Sequence, residues 1–313
     1  MLSRLAGAGL ALWLVASVTF FVVRLAPGDP ARSLDPAVPL SHAETVRKLY
    51  GLDRPLTAQY AAWLSGLLRG DLGWSFDHRR PVAEVVATAL PPTLGLAALA
   101  LGLQYGGALA AAAWVARRRA PLRRAIDTVA LCLYTLPTFW LGLLALRWLG
   151  HRSGLFPTHG AASPAALGGL SHLADLLHHA ALPALVLALA NVGLVYQLSE
   201  SALRRALAAP YAIAARARGL SENRVVWRHA LRNAVAAPVH RLGLDLPLLL
   251  SGSLVIEVIF SRPGLGRVAH QAFLARDLPV LAVSATAAGT LVVLGSLLAD
   301  ALHRLVDPRV ERV

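Results

Sequence analysis

Residues 93–116 read TLGLAALALGLQYGGALAAAAWVA, a stretch with no aspartate, glutamate, lysine or arginine. A helix rises 1.5 Å per residue and the hydrocarbon core of a bilayer is about 30 Å thick, so about 20 apolar residues suffice to cross it. The apolar side chains here are clustered rather than spaced for an amphipathic face, which makes lipid the solvent of the segment. Four more uncharged cores of comparable length lie at 5–23, 128–146, 180–199 and 278–299. A sixth segment, 235–260, is interrupted by Arg241, Asp245 and Glu257 but is long enough to cross. Without it the two chain ends would lie on opposite sides. The expected fold is an all-α integral membrane protein of six transmembrane helices in one domain, 1–313, with spans at about 5–25, 93–116, 126–149, 180–199, 235–260 and 278–303.

Composition agrees. Of 313 residues, 56% are hydrophobic and 15% charged, against about 25% charged in an ordinary soluble domain. A net charge of +13 in a soluble chain would suggest nucleic acid. Here no aromatic-basic platform accompanies the arginines, so nucleic-acid binding is set aside. Arg117, Arg118, Arg119, Arg123 and Arg124 fill one gap between apolar segments; Arg204, Arg205, Arg216, Arg218, Arg224, Arg228 and Arg232 fill another. The positive-inside rule places both gaps in the cytoplasm, with both termini there and 26–92 outside. Arg4 before an apolar run resembles a secretory signal. The run is too long and lacks a small-x-small site, so an uncleaved first helix is expected.

The outer segment carries its own punctuation. Pro27, Gly28, Asp29 and Pro30 form a stop and turn. Ser41 and Glu44 fit a capping box for a short helix to Tyr50, which Gly51 would end. Residues 60–68, with Trp63, read as an interfacial helix closed by Gly70. Within the spans, Pro137, Pro183 and Pro247 are expected to kink or break their helices.

The loop 200–234 is the most informative. Pro210 suits a first helical turn, Tyr211 to Arg218 continue it, and Gly219 supplies a left-handed stop with Leu220 as the following apolar contact. Ser221 then caps a second helix with Glu222 in its first turn, running through Trp227 and His229 towards Pro238. Ala212, Ala214, Ala215 and Ala217 offer a small-residue surface for another protein, with Arg216 and Arg218 free to reach acids. An amphipathic helix resting on anionic lipid is an equal reading of these residues.

Other chemistry is scarce. Cys132 is the one cysteine, so no intrachain disulfide forms. The one lysine, Lys48, falls in the outer segment and cannot complete a Walker A loop. There is no H-E-x-x-H and no G-x-S-x-G. His151, His159, His172, His178 and His179 crowd one outer loop, yet their spacing fits no compact ligand set, and no metal site is assigned. Asp245, with Gln104, Asn191, Tyr196 and Gln197, are candidates for a translocation path, because ionisable and polar groups within a span mark paths or partners. Pairing of Asp245 with Arg241 one turn away is the competing explanation. Glu257 is expected near the outer surface, organising the turn that contains Pro263, Gly264 and Gly266.

The string at 211–233, YAIAARARGLSENRVVWRHALRN, resembles the coupling loop of ABC-importer permeases of the dipeptide/oligopeptide/nickel branch. The general motif is E-A-A-x-x-x-G. Ala214, Ala215 and Gly219 fit it, while Ile213 stands at the glutamate position. The peptide branch reads A-R-A-[RK]-G-L and then H-A-L-R-N; Ala215, Arg216, Ala217, Arg218, Gly219 and Leu220, then His229, Ala230, Leu231, Arg232 and Asn233, match both. The resemblance extends along the chain, through LAPGDP at 25–30, LYGLDRP at 49–55, GDLGWS at 70–75, LPTFW at 136–140, IEVIF at 256–260, RPGLGR at 262–267, DLPV at 277–280 and DPR at 307–309. It implies a type I ABC-importer permease fold with a cytoplasmic coupling helix, in a bacterial or archaeal cytoplasmic membrane. It also implies partners: a second homologous permease, identical to this chain or a related one that makes a heterodimer; two ATP-binding subunits that hold ATP and magnesium, leaving no cofactor in this chain; a periplasmic or lipid-anchored solute-binding protein; and lipid. The expected function is uptake of peptides or a related small solute, nickel and glutathione included, by alternating access and without enzymatic activity of its own. The alternative is an ion-coupled carrier, which would show internal repeats and midplane ionisable relays; neither is evident.

Overall fold

The computed structural model describes residues 2–25, 53–163 and 168–306. The turn expected at 27–30, the helix expected at 41–50 with Gly51, Lys48 and the 307–309 string lie outside the described residues. The elements are α1 (Leu2–Leu25), α2 (Leu56–Leu68), α3 (Val82–Val115), α4 (Ala120–Thr135), α5 (Thr138–Ala145, continued by a π-helical segment Leu146–Arg152), α6 (Gly169–Ala208), α7 (Pro210–Ala217), α8 (Glu222–Arg224, continued by a π-helical segment Val225–Ala230), α9 (Leu231–Ala234), α10 (Ala236–Val239), α11 (Leu242–Ile259), α12 (Leu265–Ala275) and α13 (Leu278–Val306). Among the described residues the structure is helical with no strand, in keeping with the all-α expectation.

Among the described residues five helices are long and apolar enough to cross a membrane, and the count is six if a bent pair is one span. The bent pair is the expected third span. Leu136 is extended (φ −80°, ψ 135°), as a residue before proline prefers. Pro137 then starts a new helix turned by 102° from the first. Pro183 and Pro247, expected to kink or break their helices, do not break them: both lie inside α6 and α11. The expected fifth span also begins later than 235. Short α10 and the His240–Arg241 turn precede it, and α11 starts at Leu242. At 34 and 40 residues, α3 and α6 run to about 51 and 60 Å, so each extends well beyond the hydrocarbon.

The chain divides into two compact units, one of Met1–Thr93 with Pro263–Val293 and one of Leu94–Arg262 with Leu294–Val313. In the first, α2 packs on α1 through aromatic rings: Tyr60 stacks on Phe21 at 5.2 Å, and Trp63 lies 5.1 Å from Phe20. The Tyr60 hydroxyl also meets Ser17 Oγ at 2.6 Å. Gly70 (φ +78°) closes α2 as expected. Asp277 ties 75–78 to the start of α13: its Oδ2 accepts from Ser75 Oγ at 2.5 Å and the Asp77 N–H at 3.1 Å. Its Oδ1 caps the helix through the Val280 N–H at 3.3 Å. Two stretches of the family resemblance, GDLGWS and DLPV, are thus joined by one buried carboxylate.

The second unit is built on alanine. Its core packs Ala108, Ala112 and Ala113 of α3, Ala130 of α4, and Ala202 and Ala206 of α6 around Val195, Tyr196 and Leu203. Small side chains let helix backbones approach closely, which supplies packing where lipid offers no hydrophobic drive. A second cluster joins Leu96 and Ala100 to Leu182, Leu187, Leu249, Ile256 and Phe260.

Candidate coupling surface and intramembrane charge

The stretch 207–225 folds as one small body. Pro210 sits in the first turn of α7, where its missing N–H costs no helical bond. At the other end, Gly219 has φ +80°. Its N–H reaches the Arg216 carbonyl at 2.8 Å, and the Leu220 N–H reaches that of Ala215 at 3.3 Å. This pair of bonds is a Schellman stop, with Leu220 folded back onto Ala212, Ala215 and Val225.

Two expectations change here. Ala212 and Ala215 are fully buried against Leu207, Leu220 and Val225, so half of the alanine surface faces inward. Arg216 is also not free for a partner. Its Nε and one terminal nitrogen donate to the two Glu222 oxygens at 2.6 and 3.3 Å, and its other terminal nitrogen donates to the Leu207 carbonyl at 2.9 Å. One guanidinium therefore fastens the end of α6, α7 and the start of α8 together. Ser221 takes the cap position by backbone but makes no capping bond with its side chain. The second helix is not continuous: it passes from α8 into a π-helical segment and then short α9 and α10. Asn223 Oδ1 accepts from Arg117 at 2.8 Å, which joins the two arginine-rich loops. Sequence distance hid that bond.

Outward-facing residues of this body are Tyr211, Ala214, Ala217, Arg218, Gly219 and Ser221, together with Arg232 and Asn233 further on; His229 is half-buried. Sequence reading missed the two largest apolar contributors. Ile213 is 57% exposed and Trp227 49%. The signal available for Ile213 was its place at the motif's glutamate position. Exposed apolar groups between arginines suit a protein surface with apolar and acidic features, and equally an anionic lipid surface.

The Arg216 hydrogen bonds, opposed by burial and aided by the Arg216 and Arg117 charges, hold the Glu222 carboxyl below the usual carboxylate range. A depressed acid contributes stability above its unfolded value of about 4.3 and loses it as pH falls through the lower folded one. The tie is therefore complete at neutral pH. Hydrogen exchange of the 210–222 amides in the assembled complex, corrected for intrinsic rate, is expected to stay flat between about pH 6 and 8. Arg216→Ala is expected to speed it several-fold at neutral pH; unchanged protection would show that the guanidinium holds nothing.

Within the second unit the intramembrane candidates separate. Asp245, 1% exposed, accepts from Tyr105 Oη at 2.8 Å and Gln104 Nε2 at 3.0 Å, and forms an ion pair with Arg241 Nε at 2.9 Å. The pairing with Arg241 holds, and Gln104 joins it. Asn191 lies alongside, its carbonyl 3.5 Å from Gln104 Nε2. Tyr196 belongs elsewhere, bonded to Asp127 at 2.8 Å, and Gln197 is exposed. Glu257 is buried, and its carbonyl receives the Arg262 N–H at 2.8 Å as α11 ends. Gly264 and Gly266 start α12, after Pro263. Of the histidines, His178 contacts the Leu155 carbonyl, His179 that of Asp175, and His159 Thr158. Among the described residues no three metal-binding side chains converge.

Comparison with known proteins adds the context. Residues 1–97 match the N-terminal profile of binding-protein-dependent transport system membrane components, and 105–312 match the profile of binding-protein-dependent transport system inner membrane components. The chain is 34% identical to the oligopeptide transport system permease protein AppB of Bacillus subtilis over 305 residues, 95% of this chain and 94% of that protein. It is 35% identical to the glutathione transport system permease protein GsiC of Salmonella typhimurium over 315 residues, 99% of this chain and 98% of that one.

Proposed function

The chain belongs to the family of binding-protein-dependent transport system inner membrane components, and from that premise we propose that it takes up peptides or a peptide-like solute such as glutathione. As an ABC-importer permease subunit it would enclose the path together with a second, related permease. Two ATP-binding subunits would hold ATP and magnesium, and a solute-binding protein would load the outer face. The observation that carries this reading is the body at 207–225. It is a small packed unit closed by a Schellman stop and fastened by Arg216, with Tyr211, Ile213 and Arg218 presented outward, and it would act as a lever.

On this reading the 211–233 loop is cytoplasmic, as are both termini. The Arg117–Asn223 bond supports one side for the two arginine-rich loops. ATPase closure would then push on the end of α6 and, through Arg117, on the end of α3. ATP binding favours one of two arrangements by its differential affinity, and that difference supplies the work. Relatives named for peptides and for glutathione support the substrate class.

Uptake of a labelled dipeptide and of glutathione into right-side-out vesicles tests the proposal. Uptake is expected to stop on ATP depletion and to survive an uncoupler. The reverse pattern would make the chain part of an ion-coupled carrier.

A further inference from the structure

We propose that Gln104, Tyr105, Asp245 and Arg241 form a latch between α3 and α11 that restrains the lever until the ATPase closes, with Asp245 as its positioning residue. The inference rests on the transport reading above and adds to it a residue set for coupling.

A carboxylate inside a span is costly and persists only with partners. Asp245 has them from two sides. Tyr105 and Gln104 reach its Oδ2 from α3, and Arg241 reaches its Oδ1 from the turn before α11. Hydrogen bonds to a charged group are short and directional, so they are made or broken rather than stretched. An element held by such bonds has discrete arrangements, as a switch requires.

Position gives the latch its role. Arg241 stands in the turn between α10 and α11, where the chain that carries the lever turns into the span. Displacement of 210–234 relative to α3 therefore loads this turn as well as the packing of Val226, Ala230 and Ala234 beside Ala108, Ala112 and Ala113. Arg117 ties the lever to the far end of α3. A shift of the lever must either carry α3 with it or break the Arg117–Asn223 bond and load the bonds at Asp245.

A second observation separates a latch from a permanent bolt. Gln104 Oε1 is buried without a hydrogen-bond partner. Turning the amide over would not help, because Oε1 would then face the Asp245 carboxylate and the Asn191 carbonyl, both acceptors. Arg241 Nε and Asp245 Oδ1, though 2.9 Å apart as an ion pair, also lack hydrogen-bond geometry, so this arrangement leaves three polar atoms of the cluster imperfectly satisfied, at a real cost. A cluster built only for stability would satisfy every member, whereas a cluster that must open is well served by a closed state that is not too deep.

The test uses the full transporter, this chain with its second permease and ATPases, in nanodiscs of fixed lipid composition. ATP hydrolysis without solute-binding protein is compared with ATP-driven uptake of a labelled dipeptide in proteoliposomes. Tyr105→Phe removes one bond to the carboxylate while keeping the ring. It is expected to raise unstimulated hydrolysis about tenfold, the change in an equilibrium from one hydrogen bond to a charged group. Uptake is expected not to rise with it, so more ATP is consumed per solute. Gln104→Leu is expected to act in the same direction. Unchanged hydrolysis in both variants with normal assembly would overturn the latch. So would a parallel fall of hydrolysis, uptake and complex yield, which marks a bolt. A wild-type chain that captures no ATPase would overturn the transport reading itself.

Discussion

Gly219→Val is expected to reduce ATP-driven uptake below a tenth of wild type while the chain inserts and accumulates normally. A Cβ at 219 meets nothing within 4 Å, so the effect does not come from a clash. It comes from the backbone: φ is +80°, and an L-residue held left-handed costs about 1–2 kcal/mol, with β-branched residues the worst case. Each 1.4 kcal/mol is about a factor of ten in population, so the ratio of closed to open lever falls about tenfold while the spans are untouched. The structure carries its own control. Ser261 and Arg276 end α11 and α12 with φ of 47° and 54°, which shows that unbranched residues are held in this conformation elsewhere in the chain. Gly219→Asn is therefore expected to retain most uptake, since asparagine tolerates the left-handed region. Equal uptake by the valine variant, at matched membrane levels, would count against the lever.

The contrast between Gly219 and its neighbours shows what a sequence can disclose. A glycine after a short helix declares a positive φ by its identity alone, and the Asp245–Arg241 pair follows from a spacing of one turn. Both depend on local chemistry. Which face of α7 turns inward does not, because alanine occupies both faces and Leu207, Leu220 and Val225 decide the matter by packing. Tyr105 and Gln104 were likewise unreadable as partners of Asp245, since they meet it across α3 and α11. The bend at Pro137 was foreseeable, but that α6 would not break at Pro183 was not. There the neighbours bury Leu182, Pro183 and Ala184 on all sides and keep the helix intact. Apolar run length picked out the candidate spans, yet it could not show that α3 and α6 run to 34 and 40 residues, because their polar ends still follow helical spacing.

Gly193→Ala is expected to destabilise the chain more than any other single-methyl change in a span. A Cβ there would lie 2.2 Å from the Ala130 carbonyl oxygen and 3.1 Å from Tyr134 Cβ. The obstructing atom is backbone and cannot rotate away, so α4 and α6 must part. Overpacking of this kind costs about 1–3 kcal/mol. The separation also pulls on the bond between Tyr196 and Asp127, which joins the same two helices one turn away; losing it adds about 1 kcal/mol. Alanine's helix propensity returns at most about 1 kcal/mol, so the net change is a loss. Gly106→Ala in α3 provides the comparison, because nothing lies within 4 Å of a Cβ at that position and only the propensity gain applies. Thermal unfolding of the purified chain in detergent should therefore separate the two variants, with Gly193→Ala melting well below wild type and Gly106→Ala at or above it. If the two melt together, α4 and α6 do not approach as closely at Gly193 as the structure requires.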